Sequence, residues 1–151
     1  MPENREQIVT ELNAKLGNCV SLSEDTTNEY ILVEPNKLVE VATELRENPS
    51  FKFDMVINLA SIDYPENYTL VYHLLSTTFV RQIALKVQLP KDRPEVPSIA
   101  EVFKSTNVQE REAYDLMGIN FVGHPNMKRI LLPDDFIGHP LRKDFKMEAG
   151  A

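Results

Sequence analysis

Two Gly-His-Pro tripeptides, at 123–125 and 138–140, stand in the same third of the chain as Glu110, Glu112, Asp134 and Asp135. Histidine and carboxylate together can bind zinc or iron, or act as an acid–base pair. A small metal-dependent hydrolase can therefore be drawn on His124, His139 and Asp134. The spacing does not favour it. There is no His-x-x-x-His, no Asp-x-Asp-x-Asp loop and no Glu-x-x-His pair, so the turns carrying these groups would have to converge by themselves. Each Gly-His-Pro reads more simply as a turn, in which glycine supplies a positive φ and the imidazole hydrogen-bonds a backbone group or carboxylate. His73, mid-strand among apolar residues, reads as packing. Glycine-rich phosphate fingerprints are absent, the chain has 5 glycines in all, and neither Ser61 nor Ser76 sits in a nucleophile elbow.

The cations of this region suggest binding instead. Arg129, Arg142 and Lys143 lie in Arg-Ile-Leu-Leu-Pro and Leu-Arg-Lys-Asp-Phe, where charge alternates with large apolar groups as it does on docking surfaces. Proline fixes φ and pushes the preceding histidine toward extended geometry, so this stretch turns and extends rather than forming one helix. Net charge is −7, with 10 acidic and 4 basic side chains in residues 1–50 but 3 acidic and 5 basic in 124–147. An acidic body with a mildly basic tail lacks the dense basic face that tracks phosphates, which argues against nucleic acid.

The elements that position these residues follow from periodicity. Ile8, Leu12 and Leu16 before Gly17 predict an amphipathic helix over 4–16. Tyr30 to Val33 is a short strand, and Pro35 opens a second helix with Leu38, Val41, Ala42 and Leu45 on one stripe. From Phe51 the period becomes two, which places Phe51, Phe53, Met55, Ile57 and Leu59 on a buried face. Strands through Tyr68–Leu74 and Ile83–Leu89 complete an antiparallel meander, and prolines in 90–97 break the sheet. Ser98 with Glu101 reads as a capping box for a helix opening at Ile99. Ser105-Thr106-Asn107 offers a fresh cap for another helix over Val108 to Met117, closed by Gly118, with Arg111 and Asp115 placed to pair one turn apart. The fold class is α+β, a two-layer sandwich of helices on an antiparallel sheet. Residues 1–122 form the α+β domain, and 123–151 form an extended C-terminal docking arm.

At 151 residues the chain is about one domain, long enough to bury roughly two-thirds of its unfolded surface. The one cysteine, Cys19, excludes an internal disulfide and any cysteine-based cluster held by this chain alone, suits a reducing compartment and reads as a small semi-buried apolar residue. No apolar run approaches the ~18 residues of a membrane span, and the N-terminus lacks a secretory pattern.

The run Glu-Arg-Glu-Ala-Tyr-Asp-Leu-Met-Gly-Ile, then Gly-His-Pro, Arg-Ile-Leu and Phe-Ile-Gly-His-Pro-Leu-Arg-Lys-Asp-Phe resembles the C subunit of respiratory complex I, the NADH-quinone oxidoreductase. The likeness covers roughly residues 50–146, reaching upstream through Ala60 to Tyr64, Tyr72 to Ser76, Lys86 and Pro97-Ser98. It implies a peripheral-arm scaffold that carries no flavin, iron–sulfur cluster or other cofactor itself. Such a chain packs against the D-type large subunit of the quinone site and neighbouring iron–sulfur subunits, on the cytoplasmic side of the membrane without spanning it. Equivalent subunits occur in membrane-bound hydrogenases and in ferredoxin or deazaflavin dehydrogenases. Carried over, Glu110, Arg111, Glu112, Tyr114, Asp115, His124, Arg129, His139, Arg142 and Lys143 are subunit-docking positions, and together with Gly118, Pro125, Gly138, Pro140 and Asp144 they make up the matched structural and docking set. None is catalytic. Arg142→Ala is accordingly expected to weaken assembly while leaving the fold intact.

Overall fold

The computed structural model of the chain describes residues 5–24 and 29–146. Asn4 of the expected first helix and residues 147–151 of the expected arm lie outside them. Helix α1 (Arg5–Leu16) buries Ile8 and Leu12. It stops where Gly17 adopts φ 84°. The Asn13 side chain ties its end to the next element, accepting the N–H groups of Cys19 and Val20, each at 3.1 Å, and donating to Val20 O at 3.0 Å. Cys19 is 4% exposed, and burial pushes its thiol pKa up.

Strands β1 (Val20–Glu24) and β2 (Glu29–Val33) pair antiparallel. A 3₁₀ turn at Pro35–Lys37 leads into α2 (Leu38–Glu47), whose buried Leu38, Val41, Ala42 and Leu45 are the stripe read from the sequence. Next come β3 (Met55–Asp63), β4 (Tyr68–Ser76) and β5 (Arg81–Leu89), the expected antiparallel meander. β2 then docks parallel to β5, Ile31 beside Leu85, so the five-stranded sheet β1-β2-β5-β4-β3 is mixed and not wholly antiparallel.

Two further readings are corrected. Phe51 and Phe53 are buried, but they precede the strand, and a bulge between Val56 and Asn58 shifts the phase inside it. Val56 therefore faces the core at 1% exposure while Met55 and Ile57 are 37% and 40% exposed, opposite to the alternation expected for them. The second correction concerns Ser98. No helix opens at Ile99, where the chain makes only turns. Residues Glu95–Pro97 form a short strand β6, which leaves the main sheet as the prolines predict but pairs parallel with β7 (Asn120–Val122).

Helix α3 (Thr106–Met117) lies between them in sequence and closes at Gly118, φ 77°, as expected. Its flanking Ser105 does not cap it. The Ser105 hydroxyl instead accepts Val56 N–H at 3.2 Å and donates to Val56 O at 2.9 Å, pinning the helix start to the bulge of β3. A single apolar core joins α1, α2 and α3 to one face of the sheet, through Leu70, Tyr72, Leu74, Ile83, Leu85 and Val87. That packing fixes the C-terminal end of α3, on which the last segment folds.

Candidate interaction site

The last four α-helical carbonyls have no partner inside a helix, and the end of the helix dipole is negative there. Residues 128–142 answer both needs of α3. Asp115 O accepts Arg129 Nη1 at 3.3 Å and His139 Nδ1 at 3.0 Å. Leu116 O accepts the Leu141 N–H at 2.9 Å. Met117 O takes Arg142 Nε at 2.7 Å, and Gly118 O lies 3.5 Å from Arg142 Nη2. The Arg142 guanidinium also stacks over the Tyr68 ring at 5.2 Å. The His139 ring meets Tyr114 edge-on at 6.3 Å.

Asp115 fastens the segment from the other side. Its Oδ1 receives Arg129 Nη1 at 2.9 Å, while Oδ2 receives three successive backbone N–H groups, Ile130, Leu131 and Leu132, at 3.2, 2.8 and 2.9 Å. The side chain is 0% exposed. Burial by itself would push this carboxyl up; the donors of Leu132, Leu131, Ile130 and Arg129 outweigh it and hold the pKa below its ordinary value. The expected Arg111–Asp115 pair is therefore replaced. Arg111 donates instead to Lys128 O at 3.1 Å and Arg129 O at 3.2 Å, another staple on the same segment. Arg129 Nη2 reaches Gly138 O at 3.0 Å, and its guanidinium lies 5.8 Å from the Phe136 ring, which stacks on Phe145.

A second attachment lies at the end of β3. Asp63, 6% exposed, accepts the Lys143 N–H at 2.9 Å and pairs with Lys91 at 2.5 Å. Lys91 and that N–H hold its carboxyl low. The hydrogen bond is made by the Lys143 backbone, and its side chain acts on Asp63 only through its charge. Sequence reasoning gave no site role to Asp63, Lys91 or Tyr68. The one available signal was an acid at a strand end beside a Lys-bearing loop.

Glu110, 0% exposed, occupies a separate buried layer. It accepts the Ser98 hydroxyl at 2.6 Å and the Ile99 N–H at 2.9 Å, so it supplies the cap that Glu101 was expected to give. His124 sits 3.9 Å away, with Nε2 donating to Asn107 O at 3.0 Å and Nδ1 accepting Asn126 N–H at 2.9 Å. That assignment makes the ring the neutral Nε2–H tautomer. Burial pushes the Glu110 carboxyl up, against Ser98, Ile99 and His124. Glu112 is exposed, as is Asp134.

His124 and His139 thus serve different partners, Glu110 with Asn107 and the α3 terminus respectively. Among the described residues no group of three or more His, Cys, Asp or Glu side chains is arranged to hold a metal ion. The arrangement fastens the last segment to the body of the same chain.

The sign of the pH response follows from these carboxyls. Asp115 and Asp63, whose pKa values are lowered on folding, contribute stability present above about pH 3.9 and lost as pH falls through their folded values. Glu110 has the opposite sign. Its raised pKa contributes below about pH 4.3, and that contribution is lost as pH rises through the folded value. Glu110→Gln is expected to compare better with the unsubstituted chain at about pH 7 than at about pH 4.5. Urea midpoints at both pH values measure it, and a difference that does not change with pH counts against the assignment.

The family described as respiratory-chain NADH dehydrogenase, 30 Kd subunit, matches residues 31–151, which include the whole of this fastened segment. The chain belongs to that family. It is 49% identical over 120 residues to the NADH-quinone oxidoreductase C subunit of Moorella thermoacetica, covering 78% of this chain and 80% of that one. The corresponding C subunit of Xanthobacter autotrophicus is 42% identical over 149 residues, covering 96% of this chain and 71% of the relative. Among solved structures, the trypsin-resistant fragment of Nqo5 superposes with a TM-score of 0.64 at 25% identity, over 80% of this chain and 97% of the fragment. A chain of an archaeal membrane-bound sulfane sulfur reductase shares the fold, with a TM-score of 0.77 at 23% identity over 96% of this chain and 87% of that one. The resemblance read from the 110–145 motifs is thereby borne out, as is the α+β fold.

Proposed function

We propose that this chain is a non-catalytic scaffold in the peripheral arm of a proton-pumping NADH-quinone oxidoreductase. Flavin and iron–sulfur clusters on other subunits carry electrons from NADH to quinone, and this chain holds their assembly together. Its neighbours are the quinone-site large subunit and the adjoining iron–sulfur subunits, on the cytoplasmic side of the membrane. No helix among the described residues is long and apolar enough to cross a membrane. The observation that carries the reading is the family match, which runs through the 128–146 segment itself.

That segment suits docking in a particular way. Two of its cations and one histidine turn inward: Arg129, His139 and Arg142 are engaged with α3, while Lys128, Asp134, Asp135, Lys143, Asp144 and Lys146 are exposed. Leu131, Ile137 and Leu141, at 61%, 87% and 54% exposure, are held outward on a braced backbone. A braced apolar edge loses little conformational entropy on binding. The segment is thus a preorganised face that meets the large subunit through apolar anchors, with Arg129 and Arg142 as its internal bracing.

The test is Ile137→Asp beside Arg142→Ala, each in a tagged chain expressed in its own host. Ile137→Asp is expected to abolish recovery of the flavin, iron–sulfur and quinone-site chains with the tag while the isolated chain melts as before. Arg142→Ala is expected to lower both recovery and stability, the latter by about 1.5–3 kcal/mol for charged hydrogen bonds, because it uncaps α3 as well. Full recovery of the complex with both variants overturns the docking role. Turnover of a substrate by the isolated chain overturns the scaffold reading.

A further inference from the structure

β3 is an edge strand of the main sheet, with β4 on one side and no strand on the other. An edge presents backbone N–H and C=O groups to whatever can pair with them. Which groups of β3 point outward follows from its bulge. The Val56 N–H and C=O both bond the Ser105 hydroxyl, so the Val56–Leu74 pair is one that exchanges no hydrogen bonds. Opposed residues alternate between bonded and non-bonded pairs along an antiparallel ladder. Counted along β4 from Leu74, His73 opposite the bulge is bonded, Tyr72 is not, Val71 is bonded and Leu70 is not. The residues facing Tyr72 and Leu70 are Leu59 and Ser61, which therefore turn their N–H and C=O groups away from the sheet, while Ala60 between them bonds to Val71.

Those groups border a groove of about 220 Å³ between β3 and one face of α3, formed by Gln109, Ala113 and Leu116, with Leu141 of the arm beside it. The chain closes the edge at both ends of this stretch. Ser105 and Gln109 bond Val56 at one end, and the Lys143 N–H bonds Asp63 at the other. Between them the outward groups of Leu59 and Ser61 meet no partner among the described residues. Gln109 supplies a second, independent observation. Its Nε2 donates to Val56 O at 3.3 Å and Ser105 O at 3.2 Å, which fixes the amide, and its Oε1 is left buried with no hydrogen-bond partner. A buried acceptor of this kind calls for a donor. What offers N–H and C=O groups at strand spacing, and a further N–H for Gln109, is another backbone in extended form.

We propose that this groove takes an extended segment of a neighbouring subunit, which adds to the edge of β3 as one short strand of about three residues at ~3.4 Å per residue. Small or apolar side chains of the segment fit against Ala113, Leu116 and Leu141. A Lys or Arg of the segment meets the exposed Glu112 carboxylate at the rim, which has no cation partner among the described residues. A second copy of this chain fits poorly. Two β3 edges paired about a two-fold axis need a longer free run than Leu59 to Ser61, and they would bring two Glu112 carboxylates together with none of the cations that would neutralise them. The proposal rests on the subunit reading, and Leu141 makes the groove continuous with the apolar face of the arm.

Amide hydrogen exchange on the unsubstituted protein is the measurement. The complex recovered through a tag on this chain and the isolated chain are each exchanged in heavy water, quenched and read residue by residue. In the isolated chain the Leu59 and Ser61 amides are expected to exchange fast and the Ala60 amide slowly. In the complex Leu59 and Ser61 are expected to slow by roughly a hundredfold or more, as amides gaining a strand partner do, with Ala60 protected in both. Ser61→Pro removes one outward donor at a position where an edge strand tolerates proline. It is expected to lower recovery of the partner chains while the isolated chain keeps its circular dichroism spectrum. Equal exchange of Leu59 and Ser61 in complex and isolated chain overturns the proposal and leaves the subunit reading standing. Slow exchange of both already in the isolated chain also overturns it, in favour of a second copy where a dimer accompanies it. Failure of the tag to recover any complex overturns both.

Discussion

Asp115→Ala is expected to release residues 128–146 from the body without unfolding the sheet. The carboxylate holds three consecutive N–H groups and Arg129, and its removal leaves them facing an apolar methyl. An uncompensated buried charge costs about 3–5 kcal/mol and each unsatisfied donor about 1–3 kcal/mol. Those figures do not all appear in the global stability. The loss cannot exceed the free energy that docks the segment, because beyond that point the segment detaches and its donors find water. The Arg129 side chain is 12% exposed, so it has only a short way to go. Trypsin is therefore expected to cut after Lys128 and Arg129 much faster in the variant, while the urea midpoint of the remaining body shifts modestly. Asp115→Asn keeps one acceptor oxygen for the N–H groups but turns an amide donor toward Arg129, so it belongs between the two. Unchanged trypsin resistance in Asp115→Ala would show that the carboxylate is not the fastening.

Much of the fold was legible because its signals are local. The α2 stripe, the meander from β3 to β5 and the stops at Gly17 and Gly118 each rest on periodicity or backbone conformation within a few residues. What failed was set by contacts distant in sequence. The parallel docking of β2 on β5, Ile31 beside Leu85, has no signal within either strand and makes the sheet mixed. The phase of β3 was misread because one bulged residue, Ile57, inverts every position before it relative to those after. Ser98 and Glu101 carry the capping-box pattern, yet Glu110, 12 residues from Ser98, reaches that hydroxyl first. The Arg111–Asp115 spacing is a sound helix pair, but Asp115 faces inward where three N–H groups and a guanidinium are on offer.

The site was legible in identity more than in geometry. His124, Arg129, His139 and Arg142 were singled out as turn and anchor residues, and each hydrogen-bonds within the chain. The histidines read as turn residues bonded within the chain, and Arg129 and Arg142 as anchors for a partner. Proximity explains why the two arginines are met within the chain. An intrachain partner is present at high effective concentration, and helix-terminal carbonyls are acceptors that must be met somewhere. Arg129 and Arg142 are therefore engaged by the chain itself, and Leu131, Ile137 and Leu141 between them face outward.

Two glycines allow the strength of this clasp to be measured against a reference. Gly118 and Gly17 both end helices with positive φ, 77° and 84°. A Cβ at Gly17 meets nothing within 4 Å, whereas one at Gly118 lies 2.7 Å from His139 Cδ2 and closer still to Arg142 Nη2. Gly17→Ala thus reports the left-handed strain alone, about 1–2 kcal/mol. Gly118→Ala adds displacement of the two side chains that cap Asp115 O and Met117 O, for a total of roughly 3–5 kcal/mol. It is also expected to loosen the 128–146 segment to protease, which Gly17→Ala leaves protected. Denaturant midpoints for the two variants give the difference directly. Equal losses would mean that His139 and Arg142 give way freely, and that the close approach of the arm to α3 contributes nothing to holding it there.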